Sequence, residues 1–223
     1  MKRPLIITLH LLFSFQTNFG IIPAITNLSL EQKIGQLFMI PVVSNETHNA
    51  NFMQNSPYRM DHTYTAHLIT KYHVGGIIFL GHGVTQKQIT ITQQLQKLSN
   101  IPLLVGQDLE WGLSMRLRDS IQFPHAMTLG ALPPECDHLI YECGKEIGMQ
   151  CKAIGVHVNF APVVDVNNNP KNPIIHDRSF GDNPKRVAHK AILFSRGMRD
   201  AGILSCAKHF PGHGDTATDS HVG

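Results

Sequence analysis

"ILSCAKHFPGHGDTATDSHVG" occupies residues 203–223. An apolar and small-residue run ends at Lys208 and His209, and from Lys208 to Val222 the chain carries one lysine, three histidines and two aspartates. A short apolar run that breaks into titratable residues is the form a buried strand takes when the loop beyond it carries chemistry.

The same form recurs upstream. "VGGIIFL" (74–80) is continuous and apolar and closes on Gly81, His82 and Gly83; "IPLLVGQDLE" (101–110) runs into an acidic turn; "VHVNFAPVVDV" (156–166) reaches Asp165. Continuous runs suit strands covered on both faces, as in a parallel sheet. A first strand is read from Gln36 to Val43, after a short helix capped by Ser29. The polar stretch from Ser44 to Tyr64 reads as a long loop leading into a helix that ends near Tyr72. Residues 85–98 read as a polar-faced helix and 131–155 as a long helix entered through proline. Residues 183–202 read as a helix with Pro184 in its first turn and Gly202 at its stop.

Five strand–helix units fit either a doubly wound sheet or part of a β/α barrel. A barrel gathers function from the C-terminal ends of several strands, whereas an open sheet concentrates it at one switch point. Here polar residues follow the third, fourth and fifth runs, and no GxGxxG follows the first. The expected fold is therefore α/β, a (β/α)8 TIM-type barrel of which this chain supplies about five units. The non-enzyme alternative is a Rossmann-like ligand-binding module with its crevice near Gly81 to Gly83.

Composition narrows the partners. Hydrophobic residues make up 42% of the 223 and charged residues 16%, with a net charge of +3 and no basic cluster, so no nucleic-acid partner is expected. Cys136, Cys143 and Cys151 lie seven and eight apart, which matches no common zinc spacing. With Cys206 they read as small apolar residues, and a disulfide enters only if the protein is exported. Export is the expectation from "MKRPLIITLHLLFSFQTNFG" (1–20), where Lys2 and Arg3 precede an apolar run of signal-peptide length. A periplasmic or extracellular location follows from it. A buried N-terminal segment in a cytoplasmic protein is the alternative, and no stretch reads as a membrane span.

Several residues could carry chemistry. Asp219 and His221 stand two apart in a loop rich in Gly and Thr, a spacing at which a carboxylate can orient an imidazole for acid/base work. Metal binding through His209, His213, Asp215, Asp219 and His221 remains open at this point, as does a purely structural role. Lys208 and His209 end the fifth run, where a lysine can bond a substrate hydroxyl. Asp108 and Glu110 flank Leu109 beside Trp111, the sole tryptophan, and a carboxylate next to an aromatic is a pattern of sugar sites. Arg178 follows Asp177 in a Pro- and Gly-punctuated loop, placed to reach inward or to tie the loop down.

"KHFPGHGDTATDSH", preceded in order by "DLEWG", "FAPVVDVNNNP" and "RSFG", resembles family 3 glycoside hydrolases of the β-N-acetylglucosaminidase branch, from Leu28 to Gly223. The Asp-x-His dyad separates that branch from related β-glucosidases, which use a glutamate from elsewhere. The resemblance implies a retaining hydrolase acting on glycans with terminal β-linked N-acetylglucosamine, such as peptidoglycan fragments, without metal or other cofactor. It implies His221 as the acid/base, Asp219 as its partner, and Asp108, Arg178, Lys208 and His209 as ligands of the −1 sugar. Trp111 departs from the glycine that many members carry there. The family's nucleophile is an aspartate after a later strand, and no residue of this chain matches it. The resemblance therefore leads us to expect a partial catalytic domain with little turnover alone. A β-glucosidase and a metal-dependent hydrolase are the alternative activities.

Overall fold

The computed structural model describes residues 25–219, so the signal-like segment and His221 lie outside the described residues. Its centre is a parallel sheet of β1 (Met39–Val43), β2 (Gly76–Leu80), β3 (Leu104–Gln107), β4 (Val158–Asn159) and β5 (Leu204–Ser205). The spatial order is β1-β2-β3-β4-β5, the same as the chain order, and every neighbouring pair is parallel. Sequential order without reversal is the topology of a barrel wall and leaves no switch point, so the Rossmann-like alternative is set aside.

Around the sheet run α1 (Leu30–Gly35), α2 (Ala50–Asn55), α3 (His62–Tyr72), α4 (Thr85–Leu98), α5 (Ala126–Gly130), α6 (His138–Ala153) and α7 (Pro184–Asp200). Ser29 closes a capping box with Gln32 at the start of α1. In α7, Asn183 accepts from the amides of Lys185 and Arg186, and Pro184 occupies the first turn, where its missing N–H costs nothing. Val187, Ala191, Phe194 and Met198 form the buried stripe of α7 at helical spacing. That stripe joins Ile77, Phe79, Val105, Ile140 and Ile147 in one core between sheet and helices.

Glycine sets the closest approach of the two longest helices. A β-carbon on Gly144 would stand 2.3 Å from the Phe194 carbonyl oxygen, and one on Gly197 would stand 2.2 Å from that of Tyr141. Both distances are shorter than any tolerated contact, so α6 and α7 touch backbone to backbone.

Three readings need correction. Residues 44–64 are not one loop: they contain α2, and Asp61 caps α3 through the Tyr64 amide. The 131–155 segment starts its helix only at His138, after a 3₁₀ turn at Pro134–Cys136, and α5 precedes it unanticipated. The fourth and fifth strands keep only two ladder residues each, Val158–Asn159 and Leu204–Ser205, shorter than the apolar runs that announce them. The cysteines are all free thiols, and burial pushes Cys143 up to about 11 and Cys151 up to about 12. Among the described residues no helix is long and apolar enough to cross a membrane.

Candidate active site

The site grows out of the C-terminal ends of β3, β4 and β5. Asn159, fully buried in β4, grips the turn after β3 at both ends of one residue. Its Nδ2 donates to the Leu109 carbonyl (3.1 Å) and its Oδ1 accepts the Leu109 amide (3.0 Å). Leu109 is wholly buried in the core, so its neighbours Asp108 and Glu110 project together to the other side.

Lys208, just beyond β5, lies between those two carboxylates. Its Nζ is 2.8 Å from Asp108 Oδ1 and 2.6 Å from Glu110 Oε1. Arg178 meets Glu110 in a fork, Nε to Oε2 at 2.9 Å and Nη2 to Oε1 at 2.8 Å. Arg116 Nη2 stands 3.6 Å from the other oxygen of Asp108. Glu110 is only 6% exposed, so water hardly screens this network. Burial works against its carboxylate, but the Arg178 hydrogen bonds and the Lys208 charge outweigh it and hold Glu110 below the ordinary range. Arg178 is likewise opposed by burial and held charged by Glu110.

A second carboxylate organises the glycine-rich loop. Asp165 has no exposed side-chain surface and accepts from His209 Nδ1 (2.6 Å), the His209 amide (3.2 Å) and the His213 amide (2.6 Å). Burial raises its pKa, while the His209 hydrogen bond and the His213 amide prevail and leave it lowered. His213 Nδ1 pairs with the Thr216 hydroxyl at 2.9 Å. Among the described residues no three His, Cys, Asp or Glu side chains converge as metal ligands would.

At the rim, Trp111 stacks on His125 with ring centroids 4.3 Å apart, and His125 Nδ1 reaches Asp177 Oδ2 at 2.5 Å. The Trp111 and Arg178 loops are thus joined twice, once through Glu110–Arg178 and once through His125–Asp177.

Asp108, Arg178 and Lys208 therefore meet in one network, and His209 adjoins it through the backbone of Lys208. Asp219 is described at the end of the glycine-rich loop, half-buried, and His221 lies outside the described residues. Sequence reading singled out Glu110 beside Asp108 as a sugar-site pattern and Asp165 as a strand-end carboxylate, but the resemblance gave neither a role in the site. Their positions closing apolar runs were a usable signal for both.

A parallel β/α wall with acidic and basic side chains converging at its strand ends defines a barrel-type α/β catalytic domain. The sequence matches the glycosyl hydrolase family 3 N-terminal domain over residues 29–223, and the chain belongs to that family. It is 39% identical over 166 residues to β-hexosaminidase A of Pseudoalteromonas piscicida, covering 70% of this chain and 28% of that protein. It is 35% identical over 157 residues to β-hexosaminidase LpqI of Mycobacterium tuberculosis, covering 70% and 40%. Among solved structures, a family 3 β-N-acetylglucosaminidase from Paenibacillus sp. str. FPU-7 superposes with a TM-score of 0.72 at 37% identity, covering 87% of this chain and 35% of the other. The chain thus spans well under half the length of these relatives.

Proposed function

We propose that the protein to which this chain belongs removes terminal β-linked N-acetylglucosamine with retention of configuration. The observation that carries the reading is the convergence of Asp108, Arg178 and Lys208 around the buried Glu110. Fixed charges of both signs at one strand-end cluster suit recognition of sugar hydroxyls, which donate to carboxylates and accept from cations. The β-hexosaminidase relatives support the sugar.

In this reading Asp108 accepts from hydroxyls of the −1 sugar, and Lys208, Arg178 and His209 complete its pocket. His221 protonates the glycosidic oxygen and then deprotonates the attacking water, with Asp219 holding its imidazole. Retention needs a second carboxylate about 5 Å from the acid/base group. Asp165 has no exposed surface and Glu110 is held by two cations, so we take the nucleophile from outside the described residues. The signal-like segment supports export.

Turnover of aryl N-acetylglucosaminide against aryl glucoside by the full-length gene product tests the reading. A glucoside preference replaces it with a β-glucosidase. Loss of activity on chelation, restored by zinc, replaces it with a metal-dependent hydrolase.

A further inference from the structure

Asn172 is completely buried, yet it sits in the polar run "NNNPKN" (167–172). A buried primary amide needs partners for two donor hydrogens and two acceptor lone pairs. Asn172 has all four. Its Oδ1 accepts the amides of Ile174 (2.9 Å) and Ile175 (2.8 Å), and its Nδ2 donates to the His213 carbonyl (2.5 Å) and the Thr216 hydroxyl (3.4 Å).

The two halves of that amide face different parts of the site. Ile174 and Ile175 belong to the Arg178 loop: Arg178 Nη1 donates to the Ile174 carbonyl and the Arg178 amide to that of Ile175. His213 and Thr216 belong to the loop that leads to Asp219. Asn169 adds to the same seam, donating to the carbonyls of Asp215 and Thr216 at 3.1 and 3.0 Å. Thr216 is thus pinned by side chain and backbone three residues before Asp219.

We propose that Asn172 is a positioning residue that registers the loop leading to Asp219 against the sugar pocket. This rests on the acid/base reading of Asp219 and His221. Losing the donor half of the amide lets the histidine loop drift while the acceptor half still holds the Arg178 loop. Asn172→Asp makes that change, because it keeps an acceptor for Ile174 and Ile175 and sets a carboxylate oxygen against the His213 carbonyl.

A general acid matters most when the leaving group is basic and little when it is already stable as an anion. The test compares an unactivated phenyl with a dinitrophenyl β-N-acetylglucosaminide in the full-length gene product, with N-acetylglucosamine inhibition as the binding readout. Asn172→Asp is expected to lower kcat/KM on the phenyl substrate at least about tenfold, a fraction of what acid/base catalysis contributes. The dinitrophenyl kcat/KM, which reports only the first step, and the inhibition constant should change less than about twofold. Asn172→Ser, which is smaller and uncharged, should give the same pattern and covers the case of an Asp variant that fails to fold.

Equal losses on both substrates, or no loss on either, overturn the inference, since a merely structural role lowers both alike. His221→Ala separates the two layers of the argument. If it lacks the leaving-group signature, the acid/base reading itself falls. If it shows the signature and the Asn172 variants do not, only the Asn172 inference falls.

Discussion

Glu110 and Arg178 stand 68 residues apart in the chain and meet as a two-pronged ion pair at 2.8 and 2.9 Å. The pair ties the turn after β3 to the loop between β4 and α7. Lys208 adds a third element to the same carboxylate, so one side chain joins three strand ends.

Removing that carboxylate leaves two cations facing each other in a mostly buried space. Glu110→Ala should destabilise the fold by about 3 kcal/mol, the low end for a buried pair that loses one member. Chemical denaturation of the variant and the parent checks this, and an unchanged midpoint would show that the network adds nothing to stability.

Acid should weaken the same region. Glu110 and Asp165 both have folded pKa values depressed from their ordinary 4.5 and 3.8. A depressed carboxylate contributes stability that is fully present above its unfolded pKa and disappears as pH falls through its folded one. Denaturation midpoints should therefore hold near neutrality and drop as pH falls below about 4.5. Glu110→Gln should flatten part of that drop. A parent midpoint that is constant down to pH 3 contradicts the depressed values.

Asp108 is predicted to act on substrate more than on folding. Its exchange for Ala should lower kcat/KM on aryl N-acetylglucosaminide by about 10- to 100-fold, as expected for hydrogen bonds to a charged group worth about 1.5–3 kcal/mol. Steady-state kinetics with a matched circular-dichroism spectrum measures it. A fall below threefold removes Asp108 from the sugar pocket.

The glycine contact between α6 and α7 gives a prediction remote from the site. Gly144→Val should cost at least about 1–3 kcal/mol through overpacking, because its new β-carbon collides with backbone rather than with a movable side chain. Melting temperature reports the loss, and a wild-type value would mean that the helices can part freely.

The strand order and α4 were legible because continuous apolar runs and helical periodicity are local signals. So was the cap at Ser29, where the N-cap residue and Gln32 lie within one turn. The convergence of Asp108, Arg178 and Lys208 came from resemblance rather than from physics, since nothing local links residues 100 positions apart. Asn172 was illegible for a different reason. Its polar neighbours mark a solvated loop, and only the folded chain shows that its amide is enclosed. The α2 helix hid because "ANFMQN" is one and a half turns with no capping hydrogen bond from Asn49.

The parallel ladder thins across the sheet, from five residue pairs between β1 and β2 to two between β4 and β5. Amide hydrogens on the β1–β3 side are therefore shut away by the ladder itself, whereas those around Asp165 and His213 depend on side-chain partners. Local opening is governed by how many bonds must break at once. The half of the sheet that bears the histidine loop can breathe while the other half stays closed, and deuterium will enter the protein from its working end.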